Sequence, residues 1–346
     1  MDKRQSDVIK IAKGLCIFLV VLGHTMIPSI REENGSIHTL WSIIYIFHMP
    51  VFFGVSGLLF ELNRDRYGRE PGKFLKNKAR LLIVPYITIS IAVYLILLVL
   101  GKLPGLSSLI ARYVHEVNGV GPVLYEIITY QNHVAQHLWF VLVLFLIFCI
   151  NIIFGKVNQK GLCIFLTLAP IFVLPLLKMV FTVPDIPNYL LFELPFFMFG
   201  RLMAQNRKFL EKATKLNCTP VVFAVFVWLY ICYVEGADNL LPIRWIFLFI
   251  MRCMGILMVF SIAALIERVH AIKEPVKFLE RKSYPIYLLH QPFVVSGGAG
   301  VLYAVGVPVP LIIVTVTVLG IAAPLIIDKL FGKLKFYRYF ILGDRK

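Results

Sequence analysis

Apolar residues fall in long blocks along the chain, separated by short stretches that gather most of the charge. Ten blocks stand out, at roughly 8–28, 40–60, 81–100, 138–154, 162–181, 188–203, 219–234, 242–265, 284–304 and 307–327. Most approach the ~20 residues that an α-helix needs to cross a bilayer. None shows the period of two that a barrel strand requires. The pattern predicts an all-α polytopic integral membrane protein with about ten transmembrane helices. The sixth block is short, and the ninth is interrupted by Pro292 and Gly297-Gly298. Membrane helices tolerate such breaks where neighbours satisfy the freed backbone groups. Lys10 and Lys13 interrupt the start of the first block, and no Ala-x-Ala site follows Val21. That block therefore reads as a retained span and not as a signal peptide.

Charge placement orients the spans. With the N-terminus cytoplasmic, the inner segments hold four Lys and Arg before residue 14, seven in 61–80, two in 155–161, five in 201–218, five in 266–283 and six in 328–346. These make up 29 of the 35 cations, whereas Arg31, Lys102, Arg112 and Arg244 are the four on the outside. So steep an asymmetry predicts that both termini are cytoplasmic. Composition agrees: 59% of residues are apolar and 16% are charged, against ~25% in soluble domains. A soluble enzyme, a disordered chain and a secreted disulfide scaffold are excluded. The net charge of +16 would suggest nucleic acid in a soluble protein. Here it serves topology first, and secondarily contact with anionic lipid or a polyanionic cytosolic ligand.

The six cysteines, Cys16, Cys149, Cys163, Cys218, Cys232 and Cys253, form no CxxC or Cys/His metal spacing and read as small hydrophobes. Asn34-Gly35-Ser36 matches a glycosylation acceptor, which matters only in a eukaryotic secretory setting. The longest outer segment, 101–137, is rich in Gly, Pro, Tyr and His and is expected to hold a short amphipathic or re-entrant piece.

Titratable groups at membrane depth are costly and mark a functional site by default. They are His24, His48, His137, Lys178, Glu193, Arg252 and His290. Counting along each helix places His24, His48, His137 and Glu193 toward the outer face, and Lys13, Arg80 and His290 toward the inner one. Lys13 and His24 are eleven residues apart, so they share one helix face at a separation of about 16 Å. One helix thus presents a cation low and an imidazole high. The plainer alternatives are that Lys13 snorkels to the surface and that His24 hydrogen-bonds a neighbour. For His48, in Phe47-His48-Met49-Pro50, a structural helix–helix bond stands beside catalysis. Glu193 has a His or Arg252 as candidate partner, Lys178 reads as a snorkelling residue, and His137 reads as part of an aromatic belt with Trp139. His133 and His137 have the i,i+4 spacing of metal ligands, but the residues between them lack the Glu of a zinc-protease motif and no third ligand is evident. No metal is expected. Ser56-Gly57 lacks the flanks of a nucleophile elbow.

Six segments in order carry a resemblance. They are Asp7-Val8-Ile9-Lys10 through Lys13-Gly14 to Val20-Val21-Leu22-Gly23-His24, then Phe47-His48-Met49-Pro50-Val51-Phe52-Phe53-Gly54-Val55-Ser56-Gly57, then Arg80-Leu81-Leu82-Ile83-Val84-Pro85-Tyr86. His137-Leu138-Trp139-Phe140, Phe196-Phe197-Met198-Phe199-Gly200 and Ser283-Tyr284-Pro285-Ile286-Tyr287-Leu288-Leu289-His290 complete the series. The chain resembles the membrane acyltransferase-3 family of bacterial O-acetyltransferases, including its fucose 4-O-acetylase-like branch. Residues 1–346 are then expected to form a single membrane acyltransferase domain.

The resemblance implies an acyl-coenzyme A donor, most simply acetyl-CoA, on the cytoplasmic side. It also implies a carbohydrate acceptor, or its lipid-linked precursor, and a place in the bacterial cytoplasmic (inner) membrane. In the family pattern an Arg stands ten intervening residues before a His; here that position is Lys13, which keeps the charge and loses the bidentate fork. Many members carry an extracytoplasmic hydrolase-like domain. No such stretch is read in this sequence, so the expectation is direct acylation or hand-over to a separate protein. The expected catalytic residues are His24 as general base or transient acyl carrier, with His48 and Glu193 orienting the acceptor or tuning His24. Lys13 and Arg80 would hold the coenzyme A phosphates, and Tyr284, Tyr287 and His290 would line the donor path. His137, Trp139, Arg252 and Ser56 are the expected substrate-binding residues. The expected partners are acyl-CoA, carbohydrate and membrane lipid, with no nucleic acid; a homo-oligomer is left open. Two other classes stay open: a transporter or flippase, which ten spans with broken helices and buried ionisable groups would suit, and a sensor that keeps the scaffold without the activity.

Overall fold

The computed structural model describes residues 1–102, 120–129, 135–155, 159–215, 219–235 and 241–344. Every regular element among them is helical. In order they are α1 (Lys3–Thr25), α2 (Pro28–Glu33), α3 (Gly35–Leu62), α4 (Arg64–Arg69), α5 (Pro71–Leu100), α6 (Val120–Thr129), α7 (Trp139–Ile153), α8 (Gln159–Val180) and α9 (Asp185–Gln205). There follow α10 (Arg207–Lys215), α11 (Thr219–Glu235), α12 (Leu241–Ile266), α13 (His270–Arg281), α14 (Ser283–Leu289), α15 (Gly298–Ala304) and α16 (Val309–Phe331).

Nine of the expected spans each fall on one of these helices, while the ninth, 284–304, is divided between α14 and α15 with a π-helical stretch, Phe293–Gly297, before α15. Seven helices among the described residues are long and apolar enough to cross a membrane. α9 carries Asp185, Glu193 and Arg201, and two further apolar segments, Val221–Val234 and Phe293–Ala304, are shorter. Phe165, Phe172, Leu176, Val314 and Val318 project from the outside of the bundle, where lipid, not water, is the compatible solvent. The protein is an all-α polytopic membrane protein.

Local sequence sets the helix ends. Asp2 and Gln5 form a reciprocal capping box at the start of α1. Asn34 accepts from the Ile37 amide and caps α3, so the residue read as a glycosylation acceptor serves here as a helix cap. Pro71 occupies the first turn of α5, where a missing N–H costs nothing. α5 thus starts ten residues before the apolar block, which brings the cations of 73–80 onto a helix.

The centre of the bundle is α1, α3, α9 and α12. α3 packs most closely against α9. A Cβ at Gly57 would sit 1.9 Å from the Phe197 carbonyl oxygen, and one at Gly200 would sit 1.8 Å from that of Gly54. Only glycine permits this approach, which is how membrane helices gain contact without a hydrophobic driving force.

Segment 266–283, read as a basic loop, contains the surface helix α13 lying along the N-terminal half of α1. Its Val276 backbone fills the space beside Gly14, where a Cβ would be 2.1 Å from the Val276 oxygen. Ion pairs run along the seam: Arg4–Glu267 at 3.5 Å, Asp7 with Lys273 at 3.2 Å and with Lys277 at 3.1 Å, and Lys13–Glu280 at 2.7 Å. Glu267, with Asp7, holds the Lys273 ammonium above its ordinary pKa. In segment 101–137 the expected short helix is α6, tied to α5 by the Tyr86 hydroxyl, which donates to the Ile127 carbonyl at 2.7 Å. Arg112 and His133 of that segment, and Cys218, lie outside the described residues.

Candidate functional site

α1 carries Lys13 and His24 on one face, and the structure builds a different environment around each. Around His24 the bundle gathers aromatic and imidazole rings. Tyr45 of α3 brings its hydroxyl to 3.2 Å from His24 Nδ1. Gly23 makes the space for this, because a Cβ there would be 2.9 Å from Tyr45 Cε2. The His290 ring lies 5.3 Å from that of His24, and the His137 ring 5.5 Å from that of His290. His48, one turn below Tyr45, has its ring 4.7 Å away.

Carbonyl partners fix the tautomers of three of these rings. His48 Nδ1 faces the Ile44 oxygen at 2.7 Å, and His290 Nδ1 faces the oxygens of Ile286 and Tyr287 at 3.0 and 2.8 Å. A carbonyl only accepts, so both Nδ1 atoms carry protons, and in the neutral rings both Nε2 atoms present lone pairs. His290 Nε2 is buried with no hydrogen-bond partner among the described residues. His137 is reversed: its Nε2 faces the Leu288 oxygen at 3.4 Å. His24 differs from all three. Among the described residues its hydrogen-bond partner is the Tyr45 hydroxyl, which can donate or accept, so its tautomer is not locked by a carbonyl.

The position of His290 departs from the level expected of it. It is not low in the bundle but beside His24. α13 occupies the lower half of α1, so α14 starts partway up and reaches His290 in seven residues. The break after Leu289 then ends the helix at that level.

Beneath this cluster lies a cavity of about 370 Å³. Lys13, Ser56, Tyr67, Lys78, Ser283, Tyr284 and Tyr287 are its polar lining residues, and Phe52, Phe60, Phe140 and Phe148 supply much of its apolar wall. Tyr287 joins the two regions: it lines the cavity, its hydroxyl donates to the His137 carbonyl, and its ring is 6.3 Å from that of His290. Tyr284 donates to the Leu81 carbonyl. Lys13 is not a free cation, because Glu280 holds it.

Lys78 is the residue that sequence reasoning missed as an individual, having counted it as one of seven loop charges. It lies 4.6 Å from the Phe148 ring centroid and has no carboxylate partner among the described residues. The extension of α5 below its apolar block is what aims it at the cavity. Arg80, two residues on, does not line the cavity. Its Nε donates to the Gly343 carbonyl at 3.0 Å, and its Nη1 is left without a partner.

The remaining expected residues are placed as follows. Glu193 and Arg252 pair at 3.2 Å between α9 and α12, and Arg252 stacks over Phe192 at 4.0 Å. Trp139 stacks on Tyr189 at 4.7 Å. His137 is buried and does not form part of a surface belt. Ser56 lies on the cavity wall, on the Lys13 side of Tyr287 and not with the imidazoles. Lys178 caps the Trp245 ring at 5.0 Å. Among the described residues no cluster of His, Cys, Asp or Glu could hold a metal ion.

Chemically, the arrangement pairs an adjustable imidazole with an apolar-walled, cation-edged cavity. Residues 7–329 match the family model described as an acyltransferase domain. No curated protein and no solved structure matches the chain.

Proposed function

The chain belongs to the membrane acyltransferase-3 family, and from that premise we propose that it moves an acyl group, acetyl in the simplest case, from cytoplasmic acyl-CoA to a hydroxyl of a cell-envelope carbohydrate or its lipid-linked precursor. That it is an acyltransferase of the membrane follows from the family. The donor, the acceptor and the residue roles are our reading, as are the bacterial inner membrane and a single domain over residues 1–346. The observation that carries it is the cavity edged by Lys13 and Lys78, which ends at Tyr287 directly beneath the His24 cluster. The cation distribution supports a cytoplasmic location for its basic end.

In this reading the diphosphate and ribose phosphate of coenzyme A meet Lys78 and Lys13, the latter exchanging Glu280 for phosphate. Arg80, outside the cavity wall and held by the Gly343 carbonyl, has an unpartnered Nη1 with which to add a third cation at the basic end. The pantetheine arm runs along the apolar wall past Ser56 and Tyr284. Tyr45 accepts from His24 Nδ1, which leaves the lone pair on Nε2. As the acceptor oxygen attacks the thioester carbonyl, His24 Nε2 takes its proton. The carbon–sulfur bond then breaks, the thiolate leaves with that proton, and an ester remains. His290, neutral and fixed by two carbonyls, keeps the neighbouring face of His24 free of a competing positive charge. His48 and the Glu193–Arg252 pair orient the acceptor, flanked by Trp139 and by His137, which is buried against His290.

Acceptor-dependent release of free coenzyme A by the purified protein is the test. Substrate movement across vesicles without thioester cleavage would instead make it a transporter. A narrower expectation concerns Lys78. Lys78→Ala should raise KM for acyl-CoA about ten-fold with a smaller change in kcat, the signature of lost uniform binding. Unchanged KM in steady-state assays would remove Lys78 from the donor site.

A further inference from the structure

Arg31 of the short helix α2 stands over the outer side of the His24 cluster and has no role in the reading above. Its guanidinium carbon lies 3.8 Å from the Trp41 ring centroid. Trp41 in turn lies 4.3 Å from Tyr45, and Tyr45 contacts His24. Residues 41, 45 and 48 share one stripe of α3, so a column runs from guanidinium through indole and phenol to the imidazoles. Arg31, Trp41, Tyr45 and His24 are all partly exposed, which leaves the column open along its side.

The guanidinium is incompletely satisfied. Arg31 Nε is buried with no hydrogen-bond partner, and no carboxylate closes an ion pair with Arg31 among the described residues. The nearest acids in sequence, Glu32 and Glu33, are exposed. Arg31 stacks on Trp41, which packs on Tyr45, so its charge stands at the outer end of a column that reaches His24. A guanidinium lying on an indole is held flat and keeps its in-plane N–H groups available for a planar or tetrahedral anion. Anchoring α2 to α3 needs only the stacked face and does not explain an unpaired cation beside a cluster of histidines.

We propose that Arg31 recognises an anionic group, a carboxylate or a phosphate, on the acceptor, and that this group lies close in the acceptor to the hydroxyl that is acylated. The acceptor is then an acidic sugar or a sugar phosphate, not a neutral glycan. This inference rests on the reading of His24 as the reaction centre.

The test compares the purified wild type with Arg31→Gln and Arg31→Lys on two acceptor pairs. Glucose against glucuronate probes a carboxylate, and glucose against glucose 1-phosphate probes a phosphate. Wild-type kcat/KM should favour one anionic member by about ten-fold, or ~1.4 kcal/mol, and the preference should shrink with salt because the site is partly exposed. Arg31→Gln should bring that ratio to about one, and Arg31→Lys should restore it in part. The pair that responds identifies the anion. Equal treatment of both pairs by the wild type, or a preference that survives Arg31→Gln, overturns the proposal. The same sugars, tested without donor for protection against thermal unfolding, separate the two readings. Selective protection lost in Arg31→Gln, with no transfer, sinks the transfer reading and leaves the anion site standing. Transfer without selectivity does the reverse.

Discussion

Replacing His24 with Asn is expected to lower the acyl-transfer rate by about 10²–10⁴-fold, the range that a positioned general base contributes. Asn is close in shape and can still meet the Tyr45 hydroxyl, so the packing of α1 against α3 should survive. What it lacks is a basic lone pair where the acceptor oxygen loses its proton. KM for acyl-CoA should move little, because Lys13 and Lys78 hold the donor from the other end of the cavity, Lys13 being about 16 Å away along α1. The expected pattern is therefore a fall in kcat and in kcat/KM together, which marks an interaction made in the transition state. Tyr45→Phe keeps the ring stack and removes only the hydroxyl, so its loss should be smaller than that of His24→Asn. Steady-state assays on membranes or purified protein decide the matter. His24→Asn retaining more than about a tenth of the wild-type rate would leave the base elsewhere, with His290 next in line because its Nε2 is unpartnered.

The spans were legible because lipid imposes a one-dimensional rule: about twenty apolar residues in a row, with charge at the ends. Lys13 and His24 were legible together because one helix fixes their spacing and facing. What stayed hidden was everything set between distant elements. Glu280 is 267 residues from Lys13 along the chain, and nothing local marks it as the counter-ion. The level of His290 was misjudged for a related reason. Counting from a bilayer edge assumes that α14 starts there, whereas α13 takes that place and lifts the start. α13 itself left a trace, with Ile272, Val276 and Leu279 at helical spacing within a basic stretch. Lys78 lost its individuality in a charge count, and Arg31 was recorded only as one of four outer cations. A charge tally records where a cation stands relative to the membrane, but not whether a carboxylate answers it.

Arg201 is the clearest case, and it carries the second large expectation. The charge count assigns it to an inner loop, yet it is fully buried on α9. Its Nε donates to Glu61 at 2.7 Å, one terminal nitrogen to Asn151 at 2.5 Å, and the other to Gln159 at 2.6 Å, within 2.6 Å of Glu61 as well. One guanidinium thus ties together α3, α7 and α8 from α9. The glycine contact delivers it there, since Gly200 packs on the Gly54 backbone and the next residue is carried toward the end of α3. Arg201→Met keeps much of the volume, removes the buried charge and leaves the part-buried Glu61 with Arg64 alone, at 3.2 Å. Breaking a buried pair from one side costs about 3–5 kcal/mol. Arg201→Met should therefore unfold at markedly lower temperature in matched detergent, with lower yield. Arg201→Lys should recover only part, because an ammonium cannot reproduce the fork. Adding Glu61→Gln to Arg201→Met should restore some of the loss, since no uncompensated carboxylate remains. Strict additivity of the two changes would mean that the pair is not coupled. The consequence reaches the site, because Leu59 and Phe60, just before Glu61, line the cavity. A loosened end of α3 should weaken donor binding while leaving the protonation chemistry at His24 in place.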